Sequence, residues 1–150
     1  MAEDIRVVAH FRDGSLLRGS AIDFMLDRPS FHLRPHDGTP PVEVRCADLK
    51  ALFFVKSLQG NPRQRGLKGF LNSPGTSTHG MKTVVRFEDG EILCGYSHTY
   101  SKDRPGFFLF PADPGSNNLR VYVIIDAAVD LKTGAAADQF ARSILQKRIA

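Results

Sequence analysis

Short apolar runs divided by turn signals fill most of the chain, and most read with the two-residue period of β-strands. Val7 to Phe11 is β-rich and stops at Asp13-Gly14, two residues that tolerate positive φ and so mark a hairpin turn. Leu16 to Phe24 predicts a second, longer strand, in which Gly19 permits a sharp bend or bulge. Phe31-His32-Leu33 forms a third, bracketed by Pro29 and Pro35. Val42-Glu43-Val44 alternates as a half-buried strand does, and Leu52 to Val55 supplies a fifth.

This pattern is written twice. Phe11-Arg12-Asp13-Gly14-Ser15-Leu16-Leu17-Arg18-Gly19 recurs 76 residues later as Phe87-Glu88-Asp89-Gly90-Glu91-Ile92-Leu93-Cys94-Gly95. At the same shift, Asp27-Arg28-Pro29-Ser30-Phe31-His32-Leu33-Arg34-Pro35 becomes Asp103-Arg104-Pro105-Gly106-Phe107-Phe108-Leu109-Phe110-Pro111. Asp37 still aligns with Asp113; the second copy then gains three residues, so that Val42, Val44 and Leu52 meet Val121, Val123 and Leu131. A repeat this long denotes paired domains and not a solenoid. The second copy predicts strands over Val84 to Phe87, Ile92 to Tyr100, Phe107 to Phe110, Leu119 to Ile125 and Val129 to Leu131. Five short strands with one bent member suit a small closed barrel, since closure removes exposed edges.

The expectation is therefore an all-β chain of two tandem five-stranded barrels, over 1–57 and 81–133, with a C-terminal amphipathic helix over 134–150. In that helix Ala137, Phe140, Ala141, Ile144, Leu145 and Ile149 recur at three-and-four spacing, a stripe that must cover a barrel or meet a protein partner. The connector over 58–80 is rich in Gly and Pro and shows no clear period.

Composition narrows the class. Hydrophobic residues make up 42% of the chain, enough to close a core, while no run of eighteen apolar residues suggests a membrane span. Cys46 and Cys94 fall at non-equivalent places in the two copies, which gives no support to a disulfide or zinc site. With no export signal visible, a cytoplasmic protein with no membrane partner and no cofactor is expected. The net charge of +4 is unevenly placed: between Asp48 and Glu88 there is no acidic residue, but Lys50, Lys56, Arg63, Arg65, Lys68, Lys82 and Arg86 all lie there. Such a block attracts phosphate or simply solvates a connector.

Catalytic motifs fail on their own geometry. Gly95-Tyr96-Ser97-His98-Thr99 lacks the final Gly and the strand-to-helix turn of a nucleophile elbow. His32 and His36 stand four apart on a strand, about 13 Å, too far for one metal. Gly66-Leu67-Lys68-Gly69 lacks the spacing of a phosphate loop. No catalytic or metal-ligating residue is assigned, and the chain reads as a non-enzyme.

The repeated Asp27-Arg28-Pro29 and Asp103-Arg104-Pro105 are the strongest polar candidates. An exposed Arg in such a turn grips phosphate in bidentate fashion or stacks on a base. Alternatively, Asp bonds the turn backbone, Pro fixes φ and Arg pairs with a carboxylate. Arg45, Arg63, Arg65 and Lys68 complete the candidate ligand-binding set. By alternation Phe107 and Leu109 share one face, leaving Phe108 and Phe110 for a base-stacking platform or for an interface between the copies.

The stretch from Val7 to Val55 resembles the Sm-like barrel, the fold of bacterial Hfq and its eukaryotic relatives. The resemblance rests on Asp13-Gly14, Gly19 and Phe24, and in the second copy on Asp89-Gly90, Gly95 and Tyr100. The closing strands, Val42 to Val44 and Leu49 to Phe54, sit where the second Sm signature lies. It implies Sm-like or SH3-like barrels, RNA as a ligand class, and pairing through strand edges, either between the two barrels of one chain or between chains in a homo-oligomer. Met25 and Ser101 stand where those proteins usually have Asp, and Arg45-Cys46-Ala47 replaces the Tyr-Lys-His element of Hfq, so the family's RNA-contacting residues do not transfer. The paired layout also looks like an uncharacterised bacterial family of two-repeat proteins. Taken together, a non-catalytic binding module for RNA or nucleotide is expected. The competing class is a protein–protein or signalling adaptor. A cyclic dinucleotide held by the repeated arginines is a third option.

Overall fold

The computed structural model describes residues 5–26, 28–58, 76–77, 80–98, 104–112 and 117–149. The first copy supplies β1 (Ile5–Phe11), β2 (Leu16–Ala21), β3 (Ser30–Pro35), β4 (Val42–Arg45), a 3-10 turn (Cys46–Asp48) and β5 (Leu49–Val55). After the short β6 (Thr76–Ser77) the second copy supplies β7 (Gly80–Phe87), β8 (Ile92–Ser97), β9 (Gly106–Pro111), β10 (Asn118–Ile124), a 3-10 turn (Ile125–Ala127) and β11 (Ala128–Thr133). The chain then enters α1 (Gly134–Ile149). A strand stands at each predicted place. β2 ends three residues early because the Asp23 carboxylate captures the His32 N–H at 2.5 Å and the His32 ring at 2.7 Å, which turns the chain away from the ladder.

Matching local chemistry builds the two halves. Gly14 and Gly90 take φ of +92° and +90° in equivalent turns, where Asp13 accepts the Ser15 N–H at 2.8 Å and Asp89 accepts the Glu91 N–H at 3.0 Å. A Cβ on Gly19 would lie 2.0 Å from the Arg34 carbonyl oxygen, and one on Gly95 would lie 2.2 Å from that of Phe110. Only glycine permits such close strand approach.

The expected closed barrels, Sm-like or SH3-like, do not form. The strands make one open antiparallel sheet in the order β11-β7-β8-β9-β10-β5-β1-β2-β3-β4, with β6 paired to β7 off that path. β10 pairs with β5, placing Val121 opposite Phe53 and Tyr122 opposite Leu52. The backbone groups that closure would satisfy are instead satisfied across this seam. All seven residues of β5 are buried as a result, while β4 and β11 remain as the outer edges.

One core runs through both halves, joining Val7, Ala9, Leu33 and Leu52 to Val85, Phe107, Leu109 and Val121. Phe107 and Leu109 share its face, as strand alternation requires. The helix covers the opposite face of the second half, where Ala137 and Ala141 pack with Val84 and Tyr96. Lys82 reaches Asp138 at 3.1 Å and pins the helix to β7. That part of the apolar stripe thus meets the chain's own sheet.

Candidate functional site

The two Asp-Arg-Pro turns are held alike. Cys46 N–H donates to the Pro29 carbonyl and Ile125 N–H to the Pro105 carbonyl, both at 2.9 Å. Each turn is thereby tied to the 3-10 turn that follows the fourth strand of its copy. Pairing β10 with β5 then brings the turns to the same seam. Arg28, Met25, Pro29, Cys46 and Asp126 line a cavity of about 370 Å³. Arg104, Gly106, Phe107 and Phe108 line another of about 300 Å³. Leu26, Pro105 and Tyr122 belong to both walls.

Neither the Arg28 nor the Arg104 guanidinium has a hydrogen-bond or ion-pair partner among the described residues. Asp126 shares the cavity of Arg28 without forming an ion pair to it. Tyr122 enters the shared wall because Gly106 has no side chain: a Cβ there would sit 2.7 Å from the Tyr122 hydroxyl. Burial pushes the Tyr122 pKa up, against the opposing charge of Arg104. Burial likewise raises the pKa of the Cys46 thiol in the cavity wall.

Behind the cavities lies an aromatic cluster. Phe24 meets Tyr122 at 5.2 Å and Phe54 at 5.7 Å between ring centroids, and Phe108 meets Tyr122 at 5.4 Å. The Arg120 guanidinium stands 4.6 Å from the ring centroids of both Phe54 and Phe108. Phe108 is therefore part of an interface between the copies. Sequence reading missed Arg120; its only signal was a lone cation within the apolar run of β10.

At the other end of the seam the halves are joined by charge. Arg12 pairs with Glu88 at 2.7 Å, two residues at equivalent repeat positions. Lys50, 7% exposed, bonds Asp89 at 2.8 Å and also Glu91, with the Phe87 ring centroid 4.9 Å away. Burial depresses the Lys50 pKa, but the bonds to Asp89 and Glu91 outweigh it and leave the value raised. Lys50 and Lys82 are thus neutralised within the fold and do not contribute to a free basic block. Arg45 is exposed at the end of β4 and lines neither cavity. Asp27, Asp103, Arg63, Arg65 and Lys68 lie outside the described residues. His32 binds Asp23, and His36 bonds the Arg18 carbonyl at 3.2 Å. Among the described residues no three His, Cys, Asp or Glu side chains gather to hold a metal ion.

A family model described as a Family of unknown function (DUF6982) matches residues 3–134. No curated protein and no solved structure matches the chain.

Proposed function

The chain belongs to this family of unknown function, DUF6982, and from the geometry of its seam we propose a non-catalytic binding module for RNA or a nucleotide. The observation that carries this reading is the convergence of Arg28 and Arg104, neither of them paired among the described residues, on adjoining cavities with a common Tyr122 wall. Guanidinium groups grip phosphate oxygens in a planar fork, and the largely buried Tyr122 gives the two cavities a common aromatic wall. The turn and glycine signals shared with Sm-like proteins stand here in an open sheet, so RNA as the leading ligand rests on the two arginines and not on the fold.

Fluorescence anisotropy with a labelled single-stranded RNA across a salt series tests it. Affinity should fall with salt, and Arg28→Ala with Arg104→Ala should reduce the logarithmic slope by about 1.4, at ~0.7 per lost phosphate contact. Arg86→Ala, an exposed change on β7, should alter affinity little. Absence of binding at low salt, or a double variant equal to the parent, overturns the proposal.

A second reading, a protein-binding adaptor, rests on the apolar side chains beside the seam. Ile22, Met25 and Leu26 are 49%, 48% and 48% exposed on one loop, a patch of the kind that meets protein. It becomes the better account if RNA and nucleotides fail to bind.

A further inference from the structure

We infer that the seam takes a ligand with two phosphates, one at each arginine, so that its unit is a dinucleotide and not a single nucleotide. This rests on the nucleotide-binding proposal above and adds to it. Arg28 and Arg104 occupy the same position of the same motif, in turns anchored by the same 2.9 Å bond. Each frames its own cavity, and the cavities meet at Leu26, Pro105 and Tyr122. At about 300 and 370 Å³, each alone sits at the lower end of the ~300–1,000 Å³ range of small-ligand sites. One nucleotide in each, linked across the shared wall, engages both cations at once.

The lining chemistry is consistent with that ligand. Neither arginine is neutralised by a described carboxylate, and both residues line the cavities. The Tyr122 hydroxyl has no hydrogen-bond partner among the described residues and stands at the common wall. There it can donate to an oxygen near the linkage. Asp126 offers an acceptor in the Arg28 cavity for a base amino group or a sugar hydroxyl. Joining two modest contacts through one linkage makes the second intramolecular and raises affinity without new contacts.

Isothermal titration of the full chain with three probes decides the matter: a nucleoside 5′-monophosphate, the linear 5′-phosphorylated dinucleotide, and the cyclic dinucleotide. Each is used with adenine and with uracil. At least one dinucleotide should bind about tenfold or more tightly than the monophosphate. A preference for the linear form identifies a stretch of single-stranded nucleic acid as the source, and a preference for the cyclic form identifies a cyclic dinucleotide. Arg28→Gln and Arg104→Gln should each bring the preferred dinucleotide close to the monophosphate, with circular dichroism unchanged. Phosphorus NMR gives a readout independent of the variants, because both phosphates of the linear dinucleotide should shift on binding. Monophosphate and dinucleotides binding equally, or one phosphate shifting alone, overturns the two-phosphate inference and leaves the nucleotide site standing. No binding by any probe or by RNA removes the site itself.

Discussion

The third and fourth strands of the two halves share a backbone plan and differ in what their side chains meet. In the first half His32 and Glu43 are exposed on β3 and β4, and His32 is bound to Asp23. Their counterparts on β9 and β10 are Phe108 and Tyr122, both packed with Phe24 at the seam. The fifth strands differ in the opposite sense. β5 is wholly buried, whereas β11 carries Asp130, Lys132 and Thr133 where β5 has Ala51, Phe53 and Phe54. Duplicated strands thus present four edges of similar hydrogen-bonding capacity, and side-chain polarity selects which two are joined. The joined edges are aromatic; the outer edges are charged, as sheet edges that must resist further pairing commonly are. The same aromatic seam brings Arg28 and Arg104 together, so the inequality of the copies also creates the candidate site.

Truncating matched positions on joined and outer edges should give the largest difference between the halves. Phe54→Ala should cost about 3–5 kcal/mol, since Phe54 is nearly fully buried, while Thr133→Ala at the equivalent exposed position should stay within about 0.5 kcal/mol. Urea unfolding measures both, and equal costs would mean that the seam is no more than another edge. The glycines probe what the halves have in common. Gly19→Val and Gly95→Val should each destabilise by about 1–3 kcal/mol, because each new Cβ meets a backbone oxygen across the sheet. Strongly unequal losses would contradict equivalent strand approach in the two copies.

A smaller effect comes from the charged end of the seam. Lys50 holds the Asp89 carboxyl below its usual range, so the folded state binds that proton less readily than the unfolded chain. The stabilisation is present above the ordinary pKa near 3.8 and is lost as pH falls through the lowered folded value. With the Asp89 side chain 56% exposed, solvent screening limits it to about 0.5–1 kcal/mol. Lys50→Met should remove this part of the acid dependence in thermal melts; an unchanged pH profile would show that the bond contributes nothing. The smallest expected effect is on β3, where His32→Ala removes only an exposed pairing with Asp23 and should leave the urea midpoint nearly unchanged; a large shift would contradict this.

What could be read from the sequence was whatever local chemistry dictates. Asp13-Gly14 and Asp89-Gly90 mark their own turns, Gly19 and Gly95 mark close approach, and alternation places Phe107 and Leu109 on one buried face. Arg28 and Arg104 stood out because a turn explains Asp and Pro better than it explains Arg. The joining of β5 to β10 was not legible, since backbone donors and acceptors are identical at every edge and closure and seam satisfy them equally. The replacement of His32 and Glu43 by Phe108 and Tyr122 was the visible clue. Lys50 was misread for a related reason: counting charges along the chain assigns it to a basic block, while its partners Asp89 and Glu91 lie some forty residues away.

A ligand held at the seam between the unequal copies should perturb that seam and leave the outer strands alone. Titrating the isotopically labelled full chain with a short single-stranded RNA, and following amide and side-chain NMR signals, tests it most directly. The account predicts shifts concentrated at Leu26, Arg28, Arg104, Gly106 and Tyr122, with β4 and β11 little changed. Shifts confined to those outer strands or to the 59–75 segment, with the seam signals unmoved, would contradict it.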